Sequence, residues 1–446
     1  VTLQFGTDGV RGVANADLSP ELVVAFGRAV VRALGRDRRY LVGRDTRRSG
    51  TLIEVALSAG ICSEGGMVES AGVIPTPGLA YLAQTLDTPA VMISASHNPF
   101  PDNGLKLFAA GGRKIPDAAE REIEAGLLAI LEHGPGDGVP VAGAVGVATR
   151  MSGGAERYVE HLGSSIDGRS LAGLRVVLDC GHGAAFEAAP DAFRALGATV
   201  EVRNAAPDGS NINTGCGSTH PEGVQRAVVE LGFDAGLAFD GDADRVVAVD
   251  ERGRLIDGDH ILAVCAHDLR ARGLLRHDTV VTTVMANLGF RRAMADHGIR
   301  VIETPVGDRS VLAAMEAHGA VLGGEQSGHV IFSELATTGD GTLTGIQLLD
   351  VLLRTGTPLS ALAAVMTVFP QVLRNVRVPD REALEGARGF WAAVEVAESE
   401  LGDDARILVR PSGTEPVVRI MVEAAEAGAA AAVAERLEIA LLTELG

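Results

Sequence analysis

Three stretches of this chain repeat one order of elements, and that repetition limits the fold more than anything else in it. The segment Tyr40 to Pro75 opens on a short apolar strand, Tyr40-Leu-Val-Gly, and turns into an amphipathic stretch from Gly50 to Glu64. It closes on a second strand, Met67 to Gly72. The order returns at Arg175 to Pro207, with strand Arg175-Val-Val-Leu-Asp, a glycine-rich turn, a helix over Ala184 to Leu196 and strand Thr199 to Val202. A third copy, Thr279 to Pro305, has a helix over Leu288 to His297 and a strand over Arg300 to Ile302. Apolar residues at helical spacing between two short strands predict a βαβ unit, so three similar α/β domains are expected.

Each copy runs on into another apolar strand that ends in a polar loop, and the three loops differ. They are Ile93-Ser-Ala-Ser96-His97-Asn98-Pro99, Phe239-Asp240-Gly-Asp242-Ala-Asp244-Arg245 and Gly324-Glu325-Gln-Ser327-Gly-His329. Function in open α/β sheets gathers at strand ends, so equivalent loops of three domains are expected to face one site. A linker is read over Glu132 to Ala148, rich in Gly, Pro, Ala and Val, and a turn over Asp250-Glu-Arg-Gly-Arg. Near Phe369-Pro370 the pattern changes to a strand, a helix around Trp391 to Leu401, two strands flanking Arg410-Pro-Ser-Gly-Thr-Glu-Pro416, and an alanine-rich helix over Ala427 to Leu442. That is an α+β domain. The expected domains are residues 1–140, 151–252, 253–367 and 368–446.

Several domains suit a chain of 446 residues, which exceeds what one hydrophobic core organises. With 58 acidic against 39 basic side chains the net charge is -19, which opposes attraction to nucleic acid or anionic membrane. An anionic substrate stays open, because a pocket's field is set by local cations. Cys62, Cys180, Cys216 and Cys265 lie far apart, so free buried thiols are expected rather than a zinc site or disulfides. The start, Val1-Thr-Leu-Gln-Phe, shows no basic region before an apolar core, and no apolar run reaches membrane-spanning length. The expected location is the cytoplasm, with neither nucleic acid nor membrane as a partner.

Asp240, Asp242 and Asp244 alternate, so one side of an extended backbone, or a tight loop, gathers three carboxylates that need a cation. A calcium loop is excluded, because its sixth position is Arg245 instead of glycine and its flanks read as strands. Magnesium fits, as it takes few carboxylates and completes its shell with phosphate oxygen or water. Ser96 follows the apolar run Ala90-Val-Met-Ile. By itself its segment reads more readily as a turn, but a neighbouring cation makes the serine a phosphoryl carrier. Lys106 of Asn103-Gly-Leu-Lys106 can balance phosphate charge or relay a proton. Glu325, Ser327 and His329 alternate and offer sugar hydroxyls an acceptor, a hydroxyl and an imidazole on one side, although a structural turn explains the trio equally well. Thr304-Pro-Val-Gly-Asp308-Arg309 adds a polar loop and a cation. Arg410, Ser412, Gly413 and Thr414, with Arg419 beyond, have the composition of an anion cradle, or of a hairpin turn.

Together with Phe5-Gly-Thr-Asp-Gly-Val-Arg11-Gly at the start, these loops, in this order and over the whole chain, resemble the α-D-phosphohexomutase superfamily. The resemblance implies a heart-shaped four-domain architecture, three mixed-sheet α/β domains and a mobile C-terminal α+β domain. It implies that phosphorylated Ser96 interconverts glucosamine 6-phosphate and glucosamine 1-phosphate, with glucosamine 1,6-bisphosphate as intermediate and activator, feeding UDP-N-acetylglucosamine and cell-wall precursors. One magnesium ion per subunit would be held by Ser96, Asp240, Asp242 and Asp244. Arg11, Lys106 and Arg245 would support transfer, with His97 beside the nucleophile. Glu325 and Ser327 would hold sugar hydroxyls, and His329 would assist phosphate or proton transfer. The C-terminal loop would grip the phosphate that is not reacting. A homodimer is among the assemblies considered. Ala243 stands where relatives carry glycine, a change expected to leave ligation intact. A phosphomannomutase or phosphoglucomutase of the same superfamily is the nearest alternative, and Gln326 with the Phe5 motif weighs toward glucosamine. A metal-dependent phosphatase, losing the Ser96 phosphate to water, and a non-catalytic phosphosugar-binding regulator are the readings from other classes.

Overall fold

The computed structural model describes residues 9–36, 38–412 and 416–446. Its first sheet holds β1 (Val10–Val13), β2 (Arg39–Arg44), β3 (Met67–Val73), β4 (Ala90–Ile93), β5 (Asp102–Phe108) and β6 (Ala148–Arg150), in the order β1-β5-β4-β2-β3-β6. The second holds β7 (Arg175–Asp179), β8 (Thr199–Arg203), β9 (Ala235–Phe239), β10 (Val246–Asp250) and β11 (Leu255–Ile256), in the order β11-β10-β9-β7-β8. The third holds β12 (Thr279–Thr283), β13 (Arg300–Thr304), β14 (Leu322–Gly324) and β15 (Val330–Phe332), in the order β13-β12-β14-β15.

One arrangement underlies all three. A first strand pairs in parallel with a second on one side and a third on the other, and a return strand pairs antiparallel with the third. The repeated βαβ units are therefore real, and each sheet is mixed. The loops carrying Ser96, the three aspartates and Glu325 to His329 all connect third strand to return strand, so they occupy the same place in three copies of one topology. β9 and β10 are buried on both faces, which fixes both ends of the aspartate loop.

Helices α1 (Pro20–Leu34), α2 (Gly50–Ser63), α3 (Thr76–Thr85) and α4 (Asp117–His133) belong to the first region. α1 starts where Ser19 accepts a hydrogen bond from the Leu22 N–H and Pro20 sets the first helical φ, and it stops at Gly35. Its apolar face, with those of α2 and α4, closes a core around Phe26, Leu57 and Ile123, while α3 covers the other face through Leu79 and Leu82. Helices α5 (Gly154–Ser164), α6 (Ala185–Ala195) and α7 (Glu222–Leu231) come next, then α8 (Gly258–Ala271), α9 (Leu288–Asp296), α10 (Asp308–His318), α11 (Gly341–Thr355) and α12 (Leu359–Leu362). The expected linker over 132–148 has only a short 3₁₀ turn between α4 and β6.

The last region is the expected α+β layer, with antiparallel β16 (Gln371–Arg377), β17 (Ala405–Pro411) and β18 (Val417–Ala424) in the order β16-β18-β17. Helices α13 (Arg388–Leu401) and α14 (Ala427–Leu445) share one core with them around Phe390, Val418 and Leu437. Two compact units result: Val1–Met285 with Ile299–Ala364, and Ala286–Gly298 with Val365–Gly446. α9, read from sequence as the helix of the third repeat, thus belongs to the second unit. Among the described residues no single helix is long and apolar enough to cross a membrane.

Candidate active site

Ser96 lies in the first unit, 1 % exposed, with a left-handed φ of 53°. For a residue with a side chain that backbone costs about 1 to 2 kcal/mol, so its surroundings must impose it. They do so through a collar that the local sequence did not reveal. Buried Arg47 donates from Nη2 to the carbonyls of Ser96 (2.9 Å) and Asn98 (2.7 Å) and from Nη1 to that of Pro99 (2.5 Å). Its Nε donates to Asp45, whose other neighbour, the Ser94 hydroxyl, accepts from the Ser96 N–H. From the second sheet's region, Asn213 Nδ2 donates to the Ser96 and Asn98 carbonyls. The Ser96 hydroxyl is left facing the aspartates, donating to Asp240 Oδ2 at 2.5 Å. Gly241 permits that approach, since a Cβ there would sit 2.6 Å from the Ser96 carbonyl oxygen.

Asp240, Asp242 and Asp244 are buried, with one oxygen of each within 4.8 Å of the others. Asp242 Oδ2 accepts from Thr76 (2.5 Å) and Lys106 (2.8 Å), and Lys106 also reaches Asp244 Oδ2 at 3.2 Å. Asp242 Oδ1 and Asp244 Oδ1 are buried with no hydrogen-bond partner. Burial, then the Asp244 and Asp242 charges, push Asp240 well above the usual carboxylate range. Asp244 lies well below it, because Lys106, His329 and Arg245 outweigh its burial. An all-oxygen donor set with orphaned oxygens and mutual repulsion fits a small divalent cation, whose charge removes that penalty. Ala243 shares the strained left-handed backbone, φ 57°, where a glycine would be relaxed.

Lys106 sits on β5, paired opposite Met92 of β4, so a strand and not a loop aims it at the aspartates. His97 Nδ1 lies 3.4 Å from Ser96 Oγ and 3.3 Å from Arg245 Nη1. Burial, then the cations Arg245 and Arg11, bring His97 down to about 4, so its ring is neutral near pH 7. Arg11, on β1, is thereby placed at the site, whereas Phe5 to Asp8 of its motif lie outside the described residues.

The expectation that Glu325, Ser327 and His329 share one side fails. The Glu325 N–H donates to the His329 carbonyl and the Gly328 N–H to that of Glu325, which closes a tight turn around Gly328 at φ 93°. Strand alternation does not apply to a turn: Ser327 is exposed and His329 buried. Val246, at the end of the aspartate loop, donates its N–H to the Gly328 carbonyl, so the second and third loops are joined directly. Glu325 accepts from the Gly307 N–H. Asp308 pairs with Lys114 at 2.5 Å and lies 3.8 Å from His329 Nε2. Arg309 is engaged by Asp117 and Glu120 at the start of α4. Burial disfavours a charged His329, but Asp244, Asp308 and Glu325 outweigh it and raise its pKa.

In the second unit Arg410 of β17 stands directly opposite Arg419 of β18. Like charges at that spacing repel, and burial with Arg419 beside it lowers the Arg410 pKa. Arg410 Nε is buried without a hydrogen-bond partner, and Arg381 Nη1 donates to the Ser412 carbonyl at 2.5 Å. Two guanidinium groups are thus held side by side at this sheet end. Gly413 and Thr414 of the expected cradle lie outside the described residues.

Four phosphoglucomutase/phosphomannomutase family models match in order: alpha/beta/alpha domain I at 2–133, domain II at 156–253, domain III at 257–369 and the C-terminal domain at 373–440. A phosphoglucosamine mutase of Symbiobacterium thermophilum is 53% identical over 448 residues, covering 99% of each chain. One from Desulforudis audaxviator is 50% identical over 99% of this chain and 98% of its own. A phosphoglucomutase/phosphomannomutase family protein of Burkholderia thailandensis superposes with a TM-score of 0.82 at 26% identity, covering 98% of this chain and 97% of that one.

Proposed function

The chain belongs to the phosphoglucomutase/phosphomannomutase family, and from that premise we propose that it interconverts glucosamine 6-phosphate and glucosamine 1-phosphate. The observation that carries the reading is the Ser96 hydroxyl, fixed 2.5 Å from a carboxylate of a buried three-aspartate cluster, in a chain 53% identical to a phosphoglucosamine mutase.

In the forward direction the phosphoryl group on Ser96 passes to the sugar O1: the P–O bond to Ser96 Oγ breaks, a P–O bond to O1 forms, and the O1 proton leaves to a base in the site. Ser96 Oγ takes up a proton, the resulting 1,6-bisphosphate turns round, and Ser96 Oγ gives that proton up as it bonds the phosphorus at O6; the P–O6 bond breaks, O6 is protonated and the phosphoserine is restored. Asp240, Asp242 and Asp244 would hold magnesium with the Ser96 phosphate, and the ion supplies neutralisation of charge that builds on the transferring group. Arg245 and Arg11 add fixed positive charge beside Ser96, and Lys106 and His329 are the buried groups able to hold or move a proton. Arg410 and Arg419, side by side on neighbouring strands, would offer two cations to a phosphate group. Glu325, Ser327 and Asp308 would meet the sugar's polar groups.

The test is intact mass and turnover. The parent is expected to gain one phosphoryl group with magnesium and glucose 1,6-bisphosphate, and Ser96→Ala is expected to gain none and to lose activity by more than about a thousandfold. Full activity in the alanine variant defeats the mechanism. Comparing the 6-phosphates of glucosamine, glucose and mannose in a coupled assay tests the substrate, and a preference for mannose defeats that assignment. The same reading takes the enzyme as cytoplasmic.

A further inference from the structure

Neither the sequence motifs nor the transfer chemistry uses Thr337-Thr-Gly-Asp-Gly341, the run between β15 and α11, yet it bonds to both His329 and the aspartate loop. The Thr337 hydroxyl donates to the Gly112 carbonyl, past the end of β5, at 2.6 Å. The Gly339 N–H donates to His329 Nε2 at 3.1 Å. Asp340, 2 % exposed, takes the Tyr158 hydroxyl of α5 on both carboxylate oxygens at 2.9 Å, and caps α11 by accepting from the Leu343 N–H. The Gly341 N–H donates to the carbonyl of Ala243, the strained residue between Asp242 and Asp244, at 2.9 Å. Both glycines are required sterically. A Cβ on Gly339 would lie 2.4 Å from the His329 ring, and one on Gly341 would lie 2.5 Å from the Arg245 carbonyl oxygen.

We propose that Gly339, Asp340 and Gly341 are positioning residues that hold His329 and the aspartate loop in fixed relation, with Tyr158 as their common anchor. The geometry divides the work. Gly339 offers an N–H to Nε2, so in the neutral ring the proton sits on Nδ1, which is turned to Asp244 Oδ2, 3.9 Å away. Gly341 holds the one residue whose backbone must stay left-handed for Asp242 and Asp244 to converge. Asp340 cannot shift without moving both neighbours, and Tyr158 prevents the shift by filling both carboxylate oxygens.

The inference rests on the mutase reading for its meaning, but its test has readouts that do not need turnover. Magnesium is titrated calorimetrically into the full chain, and the His329 ring nitrogen shifts are recorded by NMR alongside kcat and KM. Gly341→Ala is expected to weaken magnesium binding by about tenfold or more. Gly339→Ala is expected to leave magnesium binding within about twofold, to move the Nε2 shift, and to lower kcat by about tenfold with little change in KM. Tyr158→Phe, which removes one oxygen and keeps the ring, is expected to move both readouts by less. Equal movement of both readouts in the two glycine variants overturns the division of roles. If those variants do not fold, Tyr158→Phe decides alone, and parent values in both readouts overturn the proposal. A parent without mutase activity but with this split would overturn the function and leave the positioning roles standing.

Discussion

Arg47 is a cation with 1 % of its surface exposed, and it is tied to one carboxylate and to three carbonyls of the serine loop. Buried charge persists only when paired and hydrogen-bonded, so removing it as Arg47→Met is expected to cost about 3 to 5 kcal/mol by stranding Asp45. Arg47→Lys keeps the charge but not the planar fork, and its three donors cannot serve three carbonyls and the Asp45 carboxylate at once. The lysine variant is expected to fold and to lose kcat by about tenfold or more, with KM for glucosamine 6-phosphate within about threefold, because the lost contacts hold the nucleophile and not the sugar. Steady-state kinetics decide it, and a parent-like kcat would contradict the role. Ser96 and the three aspartates were legible because each lies in one short run behind an apolar strand. Arg47 read only as part of a polar turn, since its carbonyl partners lie about 50 positions away and leave no local mark.

Among elements, α1 and α2 are locked by one carboxylate. Arg28, Arg32 and Arg36 recur at four-residue spacing along one side of α1 and its exit, and all three reach Glu64, the fully buried residue that ends α2. Burial pushes the Glu64 carboxyl up, but Arg32 and Arg36 outweigh it and hold its pKa below the usual value. A lowered folded-state pKa means the unfolded chain takes up the proton first as pH falls. The stability is therefore present above about 4.5 and is lost as pH drops through the lower folded value. Glu64→Gln is expected to lose about 1 to 3 kcal/mol at pH 7, discounted because the arginines are partly solvated, and to approach the parent near pH 4. Urea unfolding at both pH values measures this, and an equal gap at both would refute it. The strand and helix periods that marked the three repeats were legible at this scale, with helix ends within a few residues. What periodicity missed were the return strand β5, whose Asn103-Gly-Leu-Lys106 was assigned no element, and the turn at Gly328, where a left-handed glycine breaks the alternation inferred for Glu325 to His329.

For the molecule as a whole, the second compact unit is discontinuous in sequence. Asn287 exchanges hydrogen bonds with the Phe369 backbone, the Leu288 N–H donates to Glu423, Arg292 stacks 4.8 Å from the Phe369 ring and pairs with Asp404, and a Cβ on Gly289 would collide with the Thr367 carbonyl. Sequence grammar assigned α9 to the third repeat because it stands between two strands of that sheet, and only side-chain contacts reveal its other allegiance. A chain ending at Ala364 is expected to expose residues 286–298 to limited proteolysis that the full chain resists. Equal protection in both would show that α9 does not depend on residues beyond Ala364. The same feature bears on how the polypeptide is made. The partner of Leu288 is 135 residues further on, so at about 5–20 residues per second a ribosome reaches it roughly 7 to 27 s after α9 is synthesised. During that interval the nascent chain holds a helix whose home does not yet exist, and the last strand to emerge completes a unit begun roughly two thirds of the way along the sequence.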